Sequence, residues 1–249
     1  GFVEWIIGKG FAGIETLSGI PGTVGASPIQ NIGAYGHEVS EVIARVRTWD
    51  RKAGELKTLS NTECEFAYRS SRFKREKDRY VVLDVTFQLR QGEMSLPIAY
   101  MELADYLGVE LGARALVTEV RKAVLELRGR KGMVLDKKDH DTWSAGSFFV
   151  NPIVDAATAA KLPSDAPKWP QSDGRVKLSA AWLMERSGVH KGSAHNGAGV
   201  SSKHVLALVN NGSATSADLV ELARSAKAAV REKFAIELEP EVRFVGCDL

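Results

Sequence analysis

The segment that most constrains the fold is residues 20–36, which read IPGTVGASPIQNIGAYG. It holds four glycines and two prolines, which disfavour regular helices and strands, so we predict a loop. Backbone N–H groups with little side-chain bulk around them allow a phosphate or a flat heterocycle to approach closely. A tight connection between a helix and a strand is the alternative, but the amides of Gln30 and Asn31 between the glycines favour a ligand cradle.

Composition excludes several classes of protein. The chain has 249 residues, of which 44% are hydrophobic and 26% charged, as in ordinary globular proteins. A net charge of +2 without a basic stripe argues against a nucleic-acid partner. No apolar run or leader predicts a membrane partner. Cys64 and Cys247 lie far apart without a partner pattern, which indicates a reducing compartment and no disulfide or metal site. Apolar residues already follow helical spacing from Phe2, so we expect an N-terminally shortened sequence.

Hydrophobic periodicity and turn signals predict both helices and strands. Helices are predicted over residues 3–13, 60–66, 113–128, 155–161 and 179–186 and from Thr215 onward, and strands over residues 42–50, 55–59, 80–89, 147–150, 204–209 and 236–245. In the strand at 80–89, Val81, Leu83, Val85, Phe87 and Leu89 are expected on one face. The loss of apolar residues over 128–141 predicts a domain boundary, and the last strand is expected to rejoin the first domain.

Four motifs together resemble one family. They are the segment at 20–36, AYRSSRFK at 67–74, GSFFVNP at 146–152 and LEPEVRFVG at 238–246. Their order and span resemble the MurB family, the flavin-dependent UDP-N-acetylenolpyruvoylglucosamine reductases of peptidoglycan synthesis. The resemblance implies an α+β fold. It comprises a partial FAD-binding domain of the vanillyl-alcohol-oxidase/MurB type, residues 1–130 plus 235–249, with a smaller α+β substrate-binding domain, residues 131–234, inserted. Family members begin with a further flavin-binding segment upstream of the residues seen here.

The resemblance also implies three catalytic residues. Ser147 matches the proton donor, and Arg69 and Glu241 match the other two positions. A hydroxyl within hydrogen-bond reach can protonate an enol, and a guanidinium, which never deprotonates, suits a carboxylate or an enolate. A buried Glu241 is expected to have a raised pKa and to donate as a neutral acid. The alternatives are a strand-end hydroxyl for Ser147 and a surface salt bridge for Arg69.

A binding shell follows from the same resemblance. The FAD cradle is expected to comprise Pro21, Gly22, Gly25, Ser27, Pro28, Gln30, Asn31, Gly33, Ala34 and Tyr35, with Tyr68 lining the flavin or nicotinamide face. Tyr100 matches a tyrosine that closes over the UDP-sugar, and Lys131 is a point charge suited to a diphosphate. Asn151 and His204 complete the substrate set, although a buried histidine satisfied within the protein is the alternative for His204. No metal site is predicted.

The implied reaction has two steps. NADPH reduces FAD, and the reduced cofactor then converts UDP-N-acetylglucosamine enolpyruvate to UDP-N-acetylmuramate, in a monomeric enzyme of the bacterial cytoplasm. One alternative is a UDP-sugar-binding remnant without flavin or turnover. Another is a different oxidase or dehydrogenase on the same flavin domain, against which Tyr100 and the GSFFVNP motif argue. A response of the flavin spectrum to UDP-sugar separates these possibilities.

Overall fold

The chain divides into two compact units. The computed structural model describes residues 1–249, and its units are Gly1–Gly129 and Arg130–Leu249. The division falls at the start of the stretch in which the composition changes. Both units combine helices with antiparallel sheets, so the predicted α+β class is confirmed. None of the helices has the length and apolar character needed to cross a bilayer.

The first unit is built on a three-stranded antiparallel sheet. Its elements are α1 (Phe2–Gly8), β1 (Phe11–Ala12), β2 (Gly33–Ala34), β3 (His37–Glu38), β4 (Ile43–Asp50), β5 (Glu55–Ser60), α2 (Arg72–Arg75), β6 (Tyr80–Phe87), β7 (Arg90–Gln91), α3 (Met101–Leu107) and α4 (Val117–Arg130). The sheet has the order β5-β4-β6, while β1 pairs with β7 and β2 with β3. From Val46 onward β4 alternates buried and exposed residues, so its buried side chains join Leu59 of β5 in one core. A second core lies between α3 and α4 around Leu103 and Val124.

Strand β6 departs from the predicted single apolar face. Val81 and Leu83 are 38% and 46% exposed, whereas Val82 and Val85 pack against the core. The reason is a β-bulge, because the pairing with β4 shifts between Arg47 and Thr48 and leaves Leu83 as the extra residue. An extra residue moves the following side chains to the opposite face. The prediction that Val81 and Leu83 share one face with Val85 is therefore wrong.

The second unit has two antiparallel sheets and a long helix. Its elements are β8 (Ser144–Ser147), β9 (Ile153–Val154), α5 (Ala156–Ala160), β10 (Lys168–Pro170), β11 (Val176–Leu178), α6 (Ala180–Arg186), β12 (Ala194–His195), β13 (Ala198–Val200), β14 (Ala207–Asn210) and α7 (Ser216–Phe234). The sheets have the orders β12-β13-β14-β8 and β10-β11-β9. The predicted start of the last helix at Thr215 is confirmed, since Thr215 caps α7 and forms a capping box with Asp218. The buried side of α7, including Ala223 and Val230, packs in the core of this unit.

The strand predicted over residues 236–245 is wrong. The structure has only an isolated bridge there, between Phe149 and Pro240. The bridge consists of hydrogen bonds on either side of Pro240, from Val150 N to Glu239 O at 3.0 Å and from Glu241 N to Phe148 O at 2.8 Å, and it extends no further at Phe148 because Phe148 N donates to Leu206 O. The alternation that suggested a strand reflects Ile236 and Leu238, which are buried in the core of the second unit. Residues 235–249 thus belong to the second unit and not, as expected, to the first.

Several element ends also differ from the sequence-based prediction. The first helix stops at Gly8, and the chain enters β1 before Gly13. The short helix expected over 60–66 is a 3₁₀ turn at Thr62–Cys64, with the predicted reciprocal hydrogen bonds between Ser60 and Glu63. Strands β8 and β14 each lie three residues away from their predicted starts. Short strands are set by pairing partners, which local patterns do not report.

Candidate active site

The glycine-rich segment is a loop, as predicted, that ends in a hairpin. A 3₁₀ turn at Val24–Ala26 interrupts it, and β2 and β3 follow. Tyr35 and Gly36 connect these strands with φ values of 51° and 87°. Two successive residues with positive φ are characteristic of the two-residue turns that match the twist of a hairpin.

The first part of this loop is open to a ligand. A Cβ at Gly22 would meet nothing within 4 Å, and one at Gly25 only Val82 Cγ1 at 3.8 Å. The backbone N–H groups of Thr23, Val24 and Gly25 donate to no oxygen of the protein. Unpaired N–H groups beside small residues suit phosphate or carbonyl acceptors. This donor set fits the FAD cradle that the sequence predicts.

Two other residues predicted for the cradle, Ser27 and Asn31, have side chains that form hydrogen bonds within the protein. Ser27 is buried and its Oγ donates to Val24 O at 2.7 Å. Asn31 is 0% exposed, and its Nδ2 donates to Glu38 Oε2 at 2.6 Å and to Ala67 O at 3.2 Å. Its Oδ1 accepts from Ser40 N at 3.0 Å. These side chains fix the shape of the loop, so their contribution to a cofactor site is made through that shape.

A tight turn carrying Tyr68 and Arg69 is tied to the loop. Ala67 and Ser70 exchange backbone hydrogen bonds on either side of it. Ser71 Oγ donates to Ile29 O at 2.6 Å, and Asn31 reaches Ala67 as described. Arg69 Nη2 donates to Gly33 O at 2.8 Å. The structure therefore brings the predicted catalytic arginine to the predicted cofactor loop.

Arg69 has an unusual backbone and a half-buried side chain. Its φ is 50°, which is uncommon for a residue with a Cβ and is often found at functional sites. Lys74 Nζ donates to its carbonyl oxygen at 3.0 Å. The side chain is 19% exposed, with Nη1 3.9 Å from Glu38 Oε1 and Cζ 5.1 Å from the Tyr68 ring centroid. The salt bridges of Arg72 and Arg75 with Glu65, in the same charged segment, are more exposed than the Arg69 side chain.

Tyr100 lies against the hairpin of the cofactor loop. Its ring meets that of Tyr35 edge to face, with centroids 5.6 Å apart. Burial, followed by the Glu102 carboxylate, raises the pKa of Tyr35 to about 12 and also raises the pKa of Tyr100. Both phenols therefore remain neutral at physiological pH and can donate hydrogen bonds. Tyr100 itself is 44% exposed, which suits a ring that covers a ligand.

The second unit places Ser147 beside the backbone of Glu241. Ser147 ends β8 opposite Ala207 of β14. The next residue, Phe148, donates to Leu206 O at 2.7 Å and accepts from Glu241 N at 2.8 Å. The Ser147 hydroxyl makes no hydrogen bond within the protein. It is therefore available to a bound substrate.

Asn151 and His204 flank the same region of the second unit. Asn151 Oδ1 accepts from Ala180 N at 2.9 Å at the start of α6, which orients the amide. Its Nδ2 has no acceptor in the protein and can donate to a ligand. His204 is half-buried, and its backbone N donates to Ser201 Oγ at 3.2 Å. Lys131, the remaining predicted substrate residue, is half-buried at the start of this unit.

Two groups of charged residues near the predicted site residues were not predicted from the sequence. Glu38 accepts from Asn31 and faces Arg69, but nothing in the local pattern distinguishes it from any exposed glutamate. Lys203, next to His204, contacts Asp139 and lies 3.8 Å from Asp141 Oδ2. The Lys203 ammonium lowers the pKa of Asp139, and Asp139 raises the pKa of Lys203. These pairs join residues more than sixty positions apart, which no local signal predicts.

The predicted site residues divide between the units. The first holds the FAD cradle, Tyr68, Arg69 and Tyr100, and the second holds Lys131, Ser147, Asn151, His204 and Glu241. Within the first, the structure brings together the cradle, the Arg69 turn and Tyr100. Within the second, it brings together the segments of Ser147, His204 and Glu241.

Comparison with known proteins matches both units to one family. Residues 137–245 match the model of the UDP-N-acetylenolpyruvoylglucosamine reductase C-terminal domain. The UDP-N-acetylenolpyruvoylglucosamine reductase of Cutibacterium acnes is 54% identical over 100% of this chain and 66% of its own length. The enzymes of that name from Streptomyces avermitilis and Thermobifida fusca are 52% and 49% identical, over 96% and 100% of this chain and 69% and 72% of their own lengths. The chain thus spans about two thirds of the length of these curated relatives.

A solved structure has a similar fold. The crystal structure of the UDP-N-acetylenolpyruvylglucosamine reductase (MurB) from Thermus caldophilus superposes with a TM-score of 0.63. The match covers 97% of this chain and 67% of that chain at 24% sequence identity. At this identity the comparison concerns the fold.

Proposed function

Because this chain belongs to the UDP-N-acetylenolpyruvoylglucosamine reductase family of oxidoreductases, we propose that it reduces UDP-N-acetylglucosamine enolpyruvate to UDP-N-acetylmuramate. FAD is the bound cofactor and NADPH the hydride donor in this proposal. The observation that carries it is the Ser147 hydroxyl, which has no partner in the protein and adjoins the Phe148–Glu241 hydrogen bond. A hydroxyl that is not committed within the protein supports Ser147 as the proposed proton donor.

The open part of the glycine-rich loop would hold the cofactor. When bound, FAD supplies the hydride for the carbon–carbon double bond of the substrate. The N–H groups of Thr23, Val24 and Gly25 are the donors proposed for its phosphate or carbonyl oxygens. Tyr68, in the turn tied to this loop, offers an aromatic face for a flavin or nicotinamide ring.

Reduction of an enolpyruvyl double bond needs a hydride at one carbon and a proton at its neighbour. We assign the proton to Ser147 Oγ, because an enol carbon is basic enough to accept from a hydroxyl within hydrogen-bond reach. Negative charge develops on the substrate between the hydride transfer and the proton transfer. A cation or hydrogen-bond donors are required to stabilise it. Arg69 is permanently charged and is held at the loop by Gly33 O, so it can stabilise that charge without reorganising. Glu241 is the third proposed catalytic residue, acting on the same enol.

The rest of the second unit supplies binding groups for the UDP-sugar. Asn151 presents Nδ2 with its Oδ1 already satisfied by Ala180 N. Lys131 contributes positive charge for the diphosphate, and His204 adjoins the Ser147 strand pair. Tyr100, from the first unit, is proposed to cover the uracil or the sugar with its partly exposed ring.

Product analysis in deuterated water tests the proposal. The chain with FAD, NADPH and the enolpyruvyl UDP-sugar is expected to oxidise NADPH and form UDP-N-acetylmuramate that carries solvent-derived deuterium, detected by mass spectrometry. UDP-N-acetylglucosamine, which lacks the enolpyruvyl group, is the control and is expected to cause no NADPH oxidation. Calorimetric binding of the enolpyruvyl sugar without NADPH oxidation would instead favour the binding module considered above.

A further inference from the structure

Glu38 connects the cofactor loop to Arg69. It lies on β3, where its Oε2 accepts from Asn31 Nδ2 at 2.6 Å. The same carboxylate accepts from the Glu41 backbone in a capping box at the 3₁₀ turn Val39–Glu41. Its Oε1 is 3.9 Å from Arg69 Nη1. The carboxylate is thus fixed by two donors and faces the arginine with its other oxygen.

Asn31 makes this arrangement rigid. It is fully buried, and its amide is satisfied at both ends, by Ser40 N on one side and by Glu38 and Ala67 on the other. Ala67 is the first residue of the Arg69 turn, so the same amide fixes the backbone that carries the arginine and the carboxylate that faces its side chain. Buried and fully satisfied polar networks hold a single geometry.

Gly33 limits the space around the guanidinium. Its carbonyl oxygen accepts from Arg69 Nη2 at 2.8 Å. A Cβ at this glycine would lie 3.0 Å from both Arg69 Nη1 and Glu38 Cγ, and 2.7 Å from His37 O. The glycine therefore lets the carboxylate and the guanidinium approach each other against the loop backbone.

We propose that Glu38 is a positioning residue for Arg69. The inference rests on the proposed role of Arg69 in stabilising the developing substrate charge. A guanidinium held between a backbone carbonyl and a fixed carboxylate is oriented before the substrate arrives. The free-energy cost of ordering this side chain is therefore not added to the reaction barrier. Glu38 thereby acts on the rate through Arg69, without touching the substrate.

Glu38→Gln tests this role because it keeps the shape and an oxygen for Asn31 but removes the charge that faces Arg69. We expect kcat for enolpyruvyl reduction to fall about 10-fold, since one misplaced charge-stabilising donor has effects of that order or larger. The dissociation constant of the UDP-sugar, measured by titration calorimetry, and the rate of flavin reduction by NADPH should stay within about 2-fold. Glu55→Gln, at the exposed start of β5, is the control and should leave kcat within about 2-fold.

A double-mutant cycle with Arg69→Lys separates positioning from general damage. If Glu38 acts through Arg69, Glu38→Gln costs much less in the Arg69→Lys background than in the wild type. Wild-type kcat in Glu38→Gln overturns the inference, and so do additive losses or a matching loss in Glu55→Gln. Wild-type kcat in Arg69→Lys with turnover still dependent on Ser147 overturns this inference but leaves the proposed reaction standing.

Discussion

At the scale of single residues, Ser147 carries the proposed proton transfer. Ser147→Ala is expected to lower the rate of enolpyruvyl reduction about 10²- to 10⁴-fold, which is the usual contribution of a positioned proton donor. Flavin reduction by NADPH does not use this hydroxyl and should be unchanged. Stopped-flow absorbance at the flavin band measures the two half-reactions separately.

The control for Ser147 lies on the same strand. Ser144 begins β8, and its Oγ accepts from Gly146 N at 3.2 Å, so Ser144→Ala removes a hydroxyl of the same strand that has no assigned role in the reaction. Both half-reactions should remain near wild type in this variant. Equal losses in the two serine variants would mean that Ser147 supports the strand and does not donate the proton.

Gly33→Ala is expected to displace the Arg69 guanidinium. The added Cβ would lie 2.7 Å from His37 O, which is backbone and cannot move cheaply, and 3.0 Å from Arg69 Nη1. We expect kcat to fall at least about 10-fold, as for other losses of charge stabilisation. Steady-state kinetics measures this, with Gly8→Ala as the control because a Cβ there meets nothing within 4 Å. Wild-type kcat in Gly33→Ala would show that the contact with Arg69 is not needed.

At the residue scale, the predicted catalytic positions come from motifs. Arg69 and Ser147 follow from YRSS and GSFFVNP, and the structure places one at the glycine-rich loop and leaves the hydroxyl of the other without a protein partner. The inward role of Asn31 was not predictable, since Ala67 is 36 positions away. The contact between Glu38 and Arg69 was not predictable for the same reason. Hydrogen-bond partners depend on the tertiary fold, whereas a motif records only the residue type.

At the scale of secondary-structure elements, Asp50 anchors the turn from β4 to β5. It is fully buried, and Arg79 donates to both of its carboxylate oxygens. Arg79 and the N–H groups of Ala53 and Lys52 lower the pKa of Asp50 to about 2. Its ionised form therefore stabilises the fold above the unfolded pKa near 4, and this stabilisation is lost as the pH falls towards 2.

Asp50→Asn is expected to destabilise the protein at pH 7 and to flatten the acid part of its stability profile. Urea unfolding midpoints at pH 7 and pH 3 measure both effects. Asp84→Asn is the control, because Asp84 and its partner Arg47 are half exposed and exposed pairs contribute little. An unchanged difference between the two pH values in Asp50→Asn would contradict the assigned role of this ion pair.

The capping box of α7 gives a second prediction at this scale. Thr215 Oγ1 accepts from Asp218 N, and Asp218 Oδ2 accepts from Thr215 N at 2.7 Å. Thr215→Ala should lower the free energy of unfolding by about 1 kcal/mol. Thr118→Ala, at an exposed position inside α4, should be neutral or slightly stabilising because alanine favours helices. Urea denaturation of the two variants makes the comparison, and equal midpoints would contradict the importance of the cap.

Elements were predictable where the signal is local. The cap at Thr215 and the strand ending at Asp50 follow from neighbouring residues. The bulge at Leu83 was not predictable, because it arises where β6 pairs with β4. The segment 236–245 alternates like a strand, but its pairing is limited to one bridge, since Phe148 N donates to Leu206 O and not to this segment. Sequence periodicity thus identifies burial more reliably than it identifies pairing.

At the scale of the whole molecule, the residues proposed for the chemistry divide between two units. The first provides the loop, Arg69 and Tyr100, and the second provides Ser147, Asn151 and Glu241. The change in composition predicts a boundary near residue 130, and the two compact units divide between Gly129 and Arg130. The sequence-based prediction misassigned residues 235–249, because hydrophobic alternation gives no information on which core a segment joins. The relatives, at 49–54% identity over almost the entire chain, support a common reaction for both units.

The most direct test of this account is an anaerobic visible absorption spectrum of the 249-residue chain with FAD. NADPH is added first and the enolpyruvyl UDP-sugar second. The account predicts a protein-bound flavin band that bleaches with NADPH and returns when the sugar is added, because the substrate takes up the electrons. A chain that binds no flavin, or a bleached band that the sugar does not restore, would contradict it.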